Sequence, residues 1–104
     1  MGMRTESCDF LVVGSGIAGL MSALHLAEQG NVLLVTKKRL TDCNTNQAQG
    51  GIACVMDAND SFEEHVRDTL IAGGGLCKES VVRQIVSAGP ERIRELIDLG
   101  VQFN

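Results

Sequence analysis

The feature that most constrains this chain is a glycine-rich hexapeptide, Gly14–Gly19 (GSGIAG), directly after the apolar run Phe10–Val13. Four consecutive apolar residues predict a strand that is buried on both faces of a parallel sheet. An amphipathic helix is predicted next, since apolar residues recur at helical spacing, with Gly30 at its C′ position. Val32–Val35 predicts a second buried strand. Together these segments predict a strand–helix–strand unit with a right-handed crossover.

The three glycines of the hexapeptide have separate roles in a dinucleotide-binding turn. Gly14 permits the tight turn, Gly16 leaves room for a pyrophosphate, and Gly19 allows close packing of helix against strand. The N-terminus of the following helix presents free N–H groups and a partial positive charge to an anion. The hexapeptide alone is weak evidence, but its place between strand and helix favours a nucleotide site over a turn without a ligand.

The residue after the second strand departs from the common pattern. Most dinucleotide folds carry Asp or Glu there to bind the adenosine ribose, whereas this chain has Thr36 followed by Lys37. The Thr36 hydroxyl can still bond the ribose, and Lys37 can approach a phosphate or an adenine edge. The departure argues against a standard NAD-binding domain without excluding a dinucleotide.

Periodicity disappears from Thr36 to Met56, which predicts a long structureless stretch of the kind that usually binds something. Within it, short polar side chains stand beside paired glycines, which let the main chain approach a ligand. Such groups can bond an isoalloxazine edge or a pyrophosphate, and a surface loop rich in turn formers is equally compatible with the composition. The residues of this segment are Asn44, Thr45, Asn46, Gln47, Ala48, Gln49, Gly50 and Gly51.

The remainder of the chain predicts helices. Ser61–Glu64 is typical of a capping box, and it begins a helix that Gly73–Gly75 ends. A third helix is expected to carry the apolar residues Val81, Val82, Ile85 and Val86.

Pro90 is expected at the first position of a fourth helix that ends at Gly100, and Val101–Phe103 predicts the start of a further strand. The fold class is therefore α/β: a partial Rossmann-like domain with a strand–helix–strand unit, a polar cofactor loop and then helices.

Composition excludes several classes of function. The net charge of -4 leaves no basic patch for nucleic acid, and Lys37–Arg39 is read as a solvated turn. No segment is apolar enough to cross a bilayer, and the N-terminus lacks the pattern of a signal peptide. A cytoplasmic protein without membrane or nucleic-acid partners is expected.

The four cysteines indicate neither a metal site nor a disulfide framework. None forms a CxxC pair, and neither His25 nor His65 lies near a cysteine at zinc-ligand spacing. Free thiols that pack as small buried hydrophobes are expected in a reducing compartment. His65, on a predicted helix without an identifiable partner, is expected to be structural.

Three blocks in order resemble a known family: GSGIAGL, then AQGGI, then HVRDTLIAGGGLC. They are similar to the flavoprotein group that contains L-aspartate oxidase and the flavoprotein subunits of succinate dehydrogenase and fumarate reductase. The likeness runs from about Cys8 to the last residue. It implies that FAD is contacted by Ser15, Gly16, Ile17, Ala18, Lys37 and the segment Asn44–Gly51.

Two positions separate the branches of this group. Subunits that hold FAD covalently carry a His where this chain has Asn44, and an amide cannot form that bond. Those subunits also tend to have Asp-Trp in place of Gly74-Gly75. Both departures favour the L-aspartate oxidase branch with non-covalent FAD.

That branch oxidises L-aspartate to iminoaspartate by hydride transfer to the flavin, with oxygen or fumarate as acceptor, at the entry to NAD biosynthesis. The resemblance also makes quinolinate synthase a candidate partner.

Members of the group are several hundred residues long, so the chain is expected to be the N-terminal part of an FAD-binding domain. The substrate-capping and C-terminal domains, with the family's catalytic arginine, are expected beyond residue 104, and no catalytic residue is assigned within it. Two alternatives remain: a non-covalent homologue of fumarate reductase or succinate dehydrogenase, and a nucleotide-binding module without catalysis.

Overall fold

A computed structural model describes residues 2–48 and 50–103 of the chain. The residues fall into two compact units, the first ending at Gly50 and the second beginning at Gly51.

The first unit is a strand–helix–strand motif followed by a single helical turn. Strand β1 covers Phe10–Val13, helix α1 Ile17–Ala27, strand β2 Val32–Val35 and the one-turn helix α2 Asn44–Gln47. The two strands are parallel, with Phe10 opposite Val32 and Val13 opposite Val35. This confirms the predicted α/β unit. The predicted structureless stretch is wrong at α2, since one helical turn is too short to leave a periodic apolar pattern.

Burial of β1 on both faces is wrong for the described residues. Val12 is buried, while Leu11 and Val13 are 60% and 76% exposed. Successive side chains of a strand point to opposite faces. Helix α1 covers the Val12 face, because a Cβ at Gly19 would lie 3.6 Å from Val12 Cγ1. Among the described residues of this unit, α1 covers the face of the sheet that carries Val12, and the face that carries Leu11 and Val13 is exposed.

Gly30 does not end α1 in the predicted way. The cap residue is Glu28 in right-handed conformation, and Gly30 is not among the glycines with positive φ. A Cβ at Gly30 would instead lie 2.7 Å from Asp9 Oδ2, and the same oxygen accepts a 2.8 Å hydrogen bond from Asn31 N. Glycine is required here because Asp9, just before β1, lies close to Gly30, just before β2.

The second unit packs two helices around valines. Helix α3 covers Phe62–Ala72 and helix α4 covers Glu79–Asp98. Ser61 Oγ accepts from Glu64 N at 3.3 Å, which confirms the predicted N-cap. After α3, Gly74 and Gly75 take φ of +58° and +86°, so glycines end this helix as predicted. The core residues are Val66, Val82 and Val86, with Leu70 packed against them.

Pro90 lies inside α4, so the prediction of two separate helices is wrong. A proline in a helix interior removes one main-chain N–H and crowds the carbonyl four residues earlier. The helix nevertheless continues, with Val86 buried before the proline and Ile93 half-buried after it. Apolar packing on both sides of Pro90 offsets the local cost.

Gly100 ends α4 as predicted, with φ of +100°. Gly100 N donates to Ile97 O at 2.9 Å and Val101 N donates to Leu96 O at 3.0 Å. These two bonds form a Schellman motif. The strand predicted at Val101–Phe103 is not observed: these residues are exposed and have no strand partner within the described ranges.

Candidate functional site

A cleft of about 530 Å³ lies in the first unit, at the carboxyl ends of β1 and β2. This is where open α/β sheets bind ligands, because the strand ends and the following turns leave a crevice there. The residues that line it are Val13, Gly14, Ser15, Gly16, Val35, Thr36, Lys37, Asp42 and Cys43.

The glycine turn forms one wall of the cleft. Gly14 N donates to Val35 O at 2.8 Å, which extends the ladder, and its φ of +111° then turns the chain into α1. A side chain at this φ would be strained. A Cβ at Gly19 would lie 2.1 Å from Gly14 O, so the third glycine is needed for close packing, as predicted.

Several main-chain N–H groups at the start of α1 have no hydrogen-bond partner in the part of the chain that the structure describes. Gly16 is the N-cap residue and makes no side-chain cap bond. Ile17 N donates to Thr45 Oγ1 at 3.1 Å, so one amide of the turn is satisfied by the loop. Within the described ranges, no acceptor is found for the amides of Ser15, Gly16, Ala18 and Gly19.

The space beside Gly16 suits a bulky anion. A Cβ at Gly16 would meet only Thr45 Oγ1, at 3.6 Å, among the described atoms within 4 Å. Open space next to unpartnered N–H groups, at a helix N-terminus with partial positive charge, fits a diphosphate. The residues present are therefore compatible with the diphosphate of a dinucleotide.

A hydroxyl pair, in which Ser15 is buried and Thr36 half-buried, joins the glycine turn to the residue after β2. Ser15 is 4% exposed, and its Oγ lies 3.0 Å from Thr36 Oγ1. Buried hydroxyls cost free energy unless they are hydrogen-bonded. The pair satisfies both groups and ties the end of β2 to the turn.

Two charged side chains of opposite sign line the cleft, Lys37 and Asp42. Both are exposed. Lys37 lies in the bend after β2, and the exposure of Lys37–Arg39 agrees with the predicted solvated turn. Arg39 N donates to Asp42 Oδ2 at 3.4 Å, a long bond that closes the turn between them.

The structure brings part of the predicted FAD-binding set together. The predicted residues that line the cleft are Gly14, Ser15, Gly16, Thr36 and Lys37. Ile17, Ala18 and Gly19 form the first turn of α1 instead.

The loop residues are distributed differently. Thr45 reaches the start of α1 through its hydroxyl, whereas Asn44, Asn46, Gln47 and Ala48 are exposed and do not line the cleft. Gln49 lies outside the described residues. Gly50 has a φ of +97° in the first unit, and Gly51 belongs to the second. Contact of this segment with FAD stays a prediction.

Four lining residues were not predicted: Val13, Val35, Asp42 and Cys43. Val13 and Val35 end their strands, so the motif itself places them beside the turn. No sequence pattern distinguishes Asp42 or Cys43. The turn between Arg39 and Asp42 brings these two residues to the cleft.

The second unit contains an apolar groove of about 400 Å³ that His65 and Cys54 help to line. The His65 carbonyl accepts a 2.8 Å bond from Thr69 Oγ1 within α3. The structural role expected for His65 stays a prediction.

The cysteines are free thiols, as predicted. Their expected burial is wrong, because Cys8, Cys43 and Cys54 are half-buried and Cys77 is exposed. Small side chains tolerate partial exposure when a turn or helix end places them at the surface. No cluster of metal-ligating side chains occurs among residues 2–48 and 50–103.

The family model for the FAD binding domain matches residues 9–104. The chain belongs to this FAD-binding family. Its α/β fold, glycine turn and cleft at the strand ends agree with that membership.

Named relatives are similar over nearly the whole chain. L-aspartate oxidase 1 of Ralstonia nicotianae is 54% identical over 95 residues, which cover 91% of this chain and 18% of the relative. The chloroplastic L-aspartate oxidase of Arabidopsis thaliana is 51% identical over 100 residues, covering 96% of this chain and 15% of the relative. L-aspartate oxidase of Vibrio cholerae is 50% identical over 101 residues, which cover 97% of this chain and 19% of the relative.

A solved structure of a mutant E. coli quinol fumarate reductase FrdA is also similar. It matches with a TM-score of 0.85 and 35% identity, over 94% of this chain and 17% of that chain. The chain thus spans less than a fifth of the length of the relatives it matches. Among the described residues, no helix is long and apolar enough to span a membrane.

Proposed function

We propose that this chain is the N-terminal part of the FAD-binding domain of an L-aspartate oxidase. The observation that carries the proposal is the glycine turn. It lines a cleft at the strand ends, and several of its main-chain amides have no acceptor among the described residues. The chain that contains it is about half identical to proteins of that name. The whole protein would oxidise L-aspartate to iminoaspartate, in the biosynthesis of NAD. FAD supplies the hydride acceptor for that oxidation when it is bound.

The residues of the first unit would bind and orient the cofactor. The amides of Gly16 and Ala18 would donate to the diphosphate, and Gly14 would keep the turn tight enough to present them. Lys37 would add positive charge at the same cleft. The segment Asn44–Gly51 would contribute amide and hydroxyl groups toward the polar parts of FAD.

The cofactor would be held without a covalent bond. Asn44 precedes Thr45, and the amide nitrogen of Asn is too weak a nucleophile to take the place of a histidine ring. Acid precipitation of the purified full-length protein should therefore leave the flavin in the supernatant. Flavin that stays with the precipitate would contradict non-covalent binding.

The test of the activity is a comparison of substrates on the full-length protein. L-aspartate should reduce the bound flavin under anaerobic conditions, and oxygen or fumarate should then reoxidise it. Succinate should leave the flavin oxidised. Flavin reduction by succinate, with none by L-aspartate, would contradict the proposal.

A second function is favoured by the likeness to FrdA, at a TM-score of 0.85. In that case the protein would interconvert fumarate and succinate with non-covalent flavin. The lower identity of this match, 35% against 54% for L-aspartate oxidase 1 of Ralstonia, makes it the less favoured function.

Location and partner are further parts of the proposal. We propose a cytoplasmic location. The names of the bacterial relatives carry no organelle, whereas the plant relative from Arabidopsis is named chloroplastic. Quinolinate synthase is the proposed partner, because iminoaspartate is unstable and favours direct use. Co-purification of the two proteins from cells would test this.

A further inference from the structure

The residue at the end of β2 is the one that would meet the adenosine ribose. Dinucleotide folds use an acidic side chain there, and this chain has Thr36. The Thr36 hydroxyl is already paired with Ser15 Oγ at 3.0 Å, and Ser15 is 4% exposed. A hydroxyl that already makes one hydrogen bond offers fewer acceptor positions than a carboxylate, so Thr36 is a weaker acceptor than the acidic residue it replaces.

Asp42 lies in the same cleft. Among the described residues that line the cleft, it alone has a carboxylate, and it shares the cleft with Thr36 and Lys37. Its Oδ2 accepts from Arg39 N at 3.4 Å, longer than most N–H···O bonds. Within the described ranges Oδ1 has no hydrogen-bond partner. The carboxylate can therefore accept further hydrogen bonds from a ligand.

The charges of the cleft determine which part of a dinucleotide each of its groups can bind. The glycine turn and Lys37 provide the positive potential and N–H donors that suit a diphosphate. A carboxylate is unfavourable beside a phosphate, but it is a strong acceptor for a neutral hydroxyl. Asp42 is thus suited to a hydroxyl-bearing part of the dinucleotide, away from its phosphates.

We propose that Asp42 is a specificity-determining residue that binds a hydroxyl of the adenosine ribose. It would replace, from the loop after β2, the acidic residue that is missing at the end of that strand. This inference rests on the proposed function, since it assumes that the cleft holds FAD.

The test uses the full-length protein with its flavin removed, and measures the dissociation constant of FAD by fluorescence. Asp42→Ala should weaken FAD binding about 10- to 100-fold, the range for a lost hydrogen bond to a charged group. Asp42→Asn keeps one acceptor oxygen and should weaken binding less. Asp98→Asn is the matched control, because Asp98 is exposed at the end of α4 in the second unit.

Ligand analogues separate a ribose contact from a general effect on the loop. FAD that lacks the adenosine 2′-hydroxyl, and FAD that lacks the 3′-hydroxyl, are titrated against both proteins. With the analogue that lacks the hydroxyl bound by Asp42, the dissociation constants of wild type and Asp42→Ala should differ by less than about threefold. The contact is already absent with that ligand in both proteins.

The outcomes are distinguishable. If wild type binds FAD and Asp42→Ala binds it equally well, the assignment of Asp42 is overturned and the proposed function is not. An equal loss with FAD and with both analogues also overturns it, since Asp42 would then act through the loop. If wild type does not bind FAD at all, the proposed function fails and the inference fails with it.

Discussion

Gly16 and Gly19 differ in what surrounds them, although both belong to the same turn. The space beside Gly16 is open apart from Thr45 Oγ1 at 3.6 Å, whereas a Cβ at Gly19 would lie 2.1 Å from Gly14 O. A methyl group at Gly16 would occupy the cleft, and one at Gly19 would separate α1 from the turn. Substitution of Gly16 is therefore expected to affect ligand binding, whereas substitution of Gly19 is expected to affect folding stability.

Gly16→Ala should weaken FAD binding about tenfold or more, because the methyl group competes with the diphosphate. Its backbone is ordinary for alanine, with φ of -70° and ψ of 177°. The free energy of unfolding of the apoprotein should stay within about 0.5 kcal/mol of wild type. Titration with FAD and denaturation with urea measure the two quantities.

Gly19→Ala should lower the free energy of unfolding by about 1–3 kcal/mol, as overpacking does in other cores. Gly2→Ala is the control, since nothing lies within 4 Å of that position. An apoprotein as stable as wild type after Gly19→Ala would contradict the close packing of α1 on the turn.

At the scale of single elements, α4 holds a proline that its packing tolerates. Pro90 lacks the N–H that would donate one main-chain hydrogen bond of the helix. In a helix interior, proline is about 3 kcal/mol less favourable than alanine. Pro90→Ala should therefore raise the free energy of unfolding by about 1–3 kcal/mol, reduced by the greater freedom of the unfolded chain. Urea denaturation measures this, with Ser87→Ala as a control on an exposed position of the same helix. A fall in stability would mean that the proline ring contributes packing that alanine cannot replace.

Helices α3 and α4 are also joined by a surface ion pair. Arg83 Nη1 donates to Glu63 Oε1 at 2.7 Å, and Arg83 also pairs with Glu79. The hydrogen bond from Arg83, and then its charge, hold the pKa of Glu63 below the usual value of 4.5. A carboxyl group with a lowered pKa in the folded state contributes stability above pH 4.5, and that contribution is lost as the pH falls further.

Glu63→Gln should therefore lower stability slightly at neutral pH, with a difference from wild type that shrinks in acid below pH 4.5. Glu64→Gln removes a charge from the same first turn of α3 and is the matched control. The measurement is urea denaturation at neutral pH and at several acidic values. A difference that persists unchanged into acid would show that the pair does not account for it.

The sequence predicts those elements whose local pattern agrees with their packing. Strands β1 and β2, helix α1 and the Ser61 cap follow from apolar periodicity and capping chemistry. The glycine turn that forms one wall of the cleft is predicted for the same reason, because its sequence motif agrees with its packing. The sequence does not predict the uninterrupted helix through Pro90, because burial around the proline outweighs its local signal. It does not predict Asp42 at the cleft, because Asp42 reaches the cleft through a turn without a distinctive sequence.

At the scale of the whole molecule, the two units hold only part of what the proposed reaction requires. The cleft contains one cationic side chain among the described residues, Lys37, and that charge is suited to phosphate. L-aspartate has two carboxylates, so its recognition needs further cationic groups placed over the flavin. The relatives named L-aspartate oxidase are more than five times the aligned length.

The 104-residue polypeptide alone should therefore not turn over L-aspartate, even when FAD is supplied. Anaerobic incubation with FAD and L-aspartate, followed by flavin absorbance, measures this directly, and the full-length protein is the positive control. Binding and turnover are separable here, because the proposed diphosphate contacts lie in the glycine turn while the substrate contacts are expected elsewhere. Flavin reduction by the 104-residue chain at a rate near that of the full-length protein would place the substrate groups within these two units.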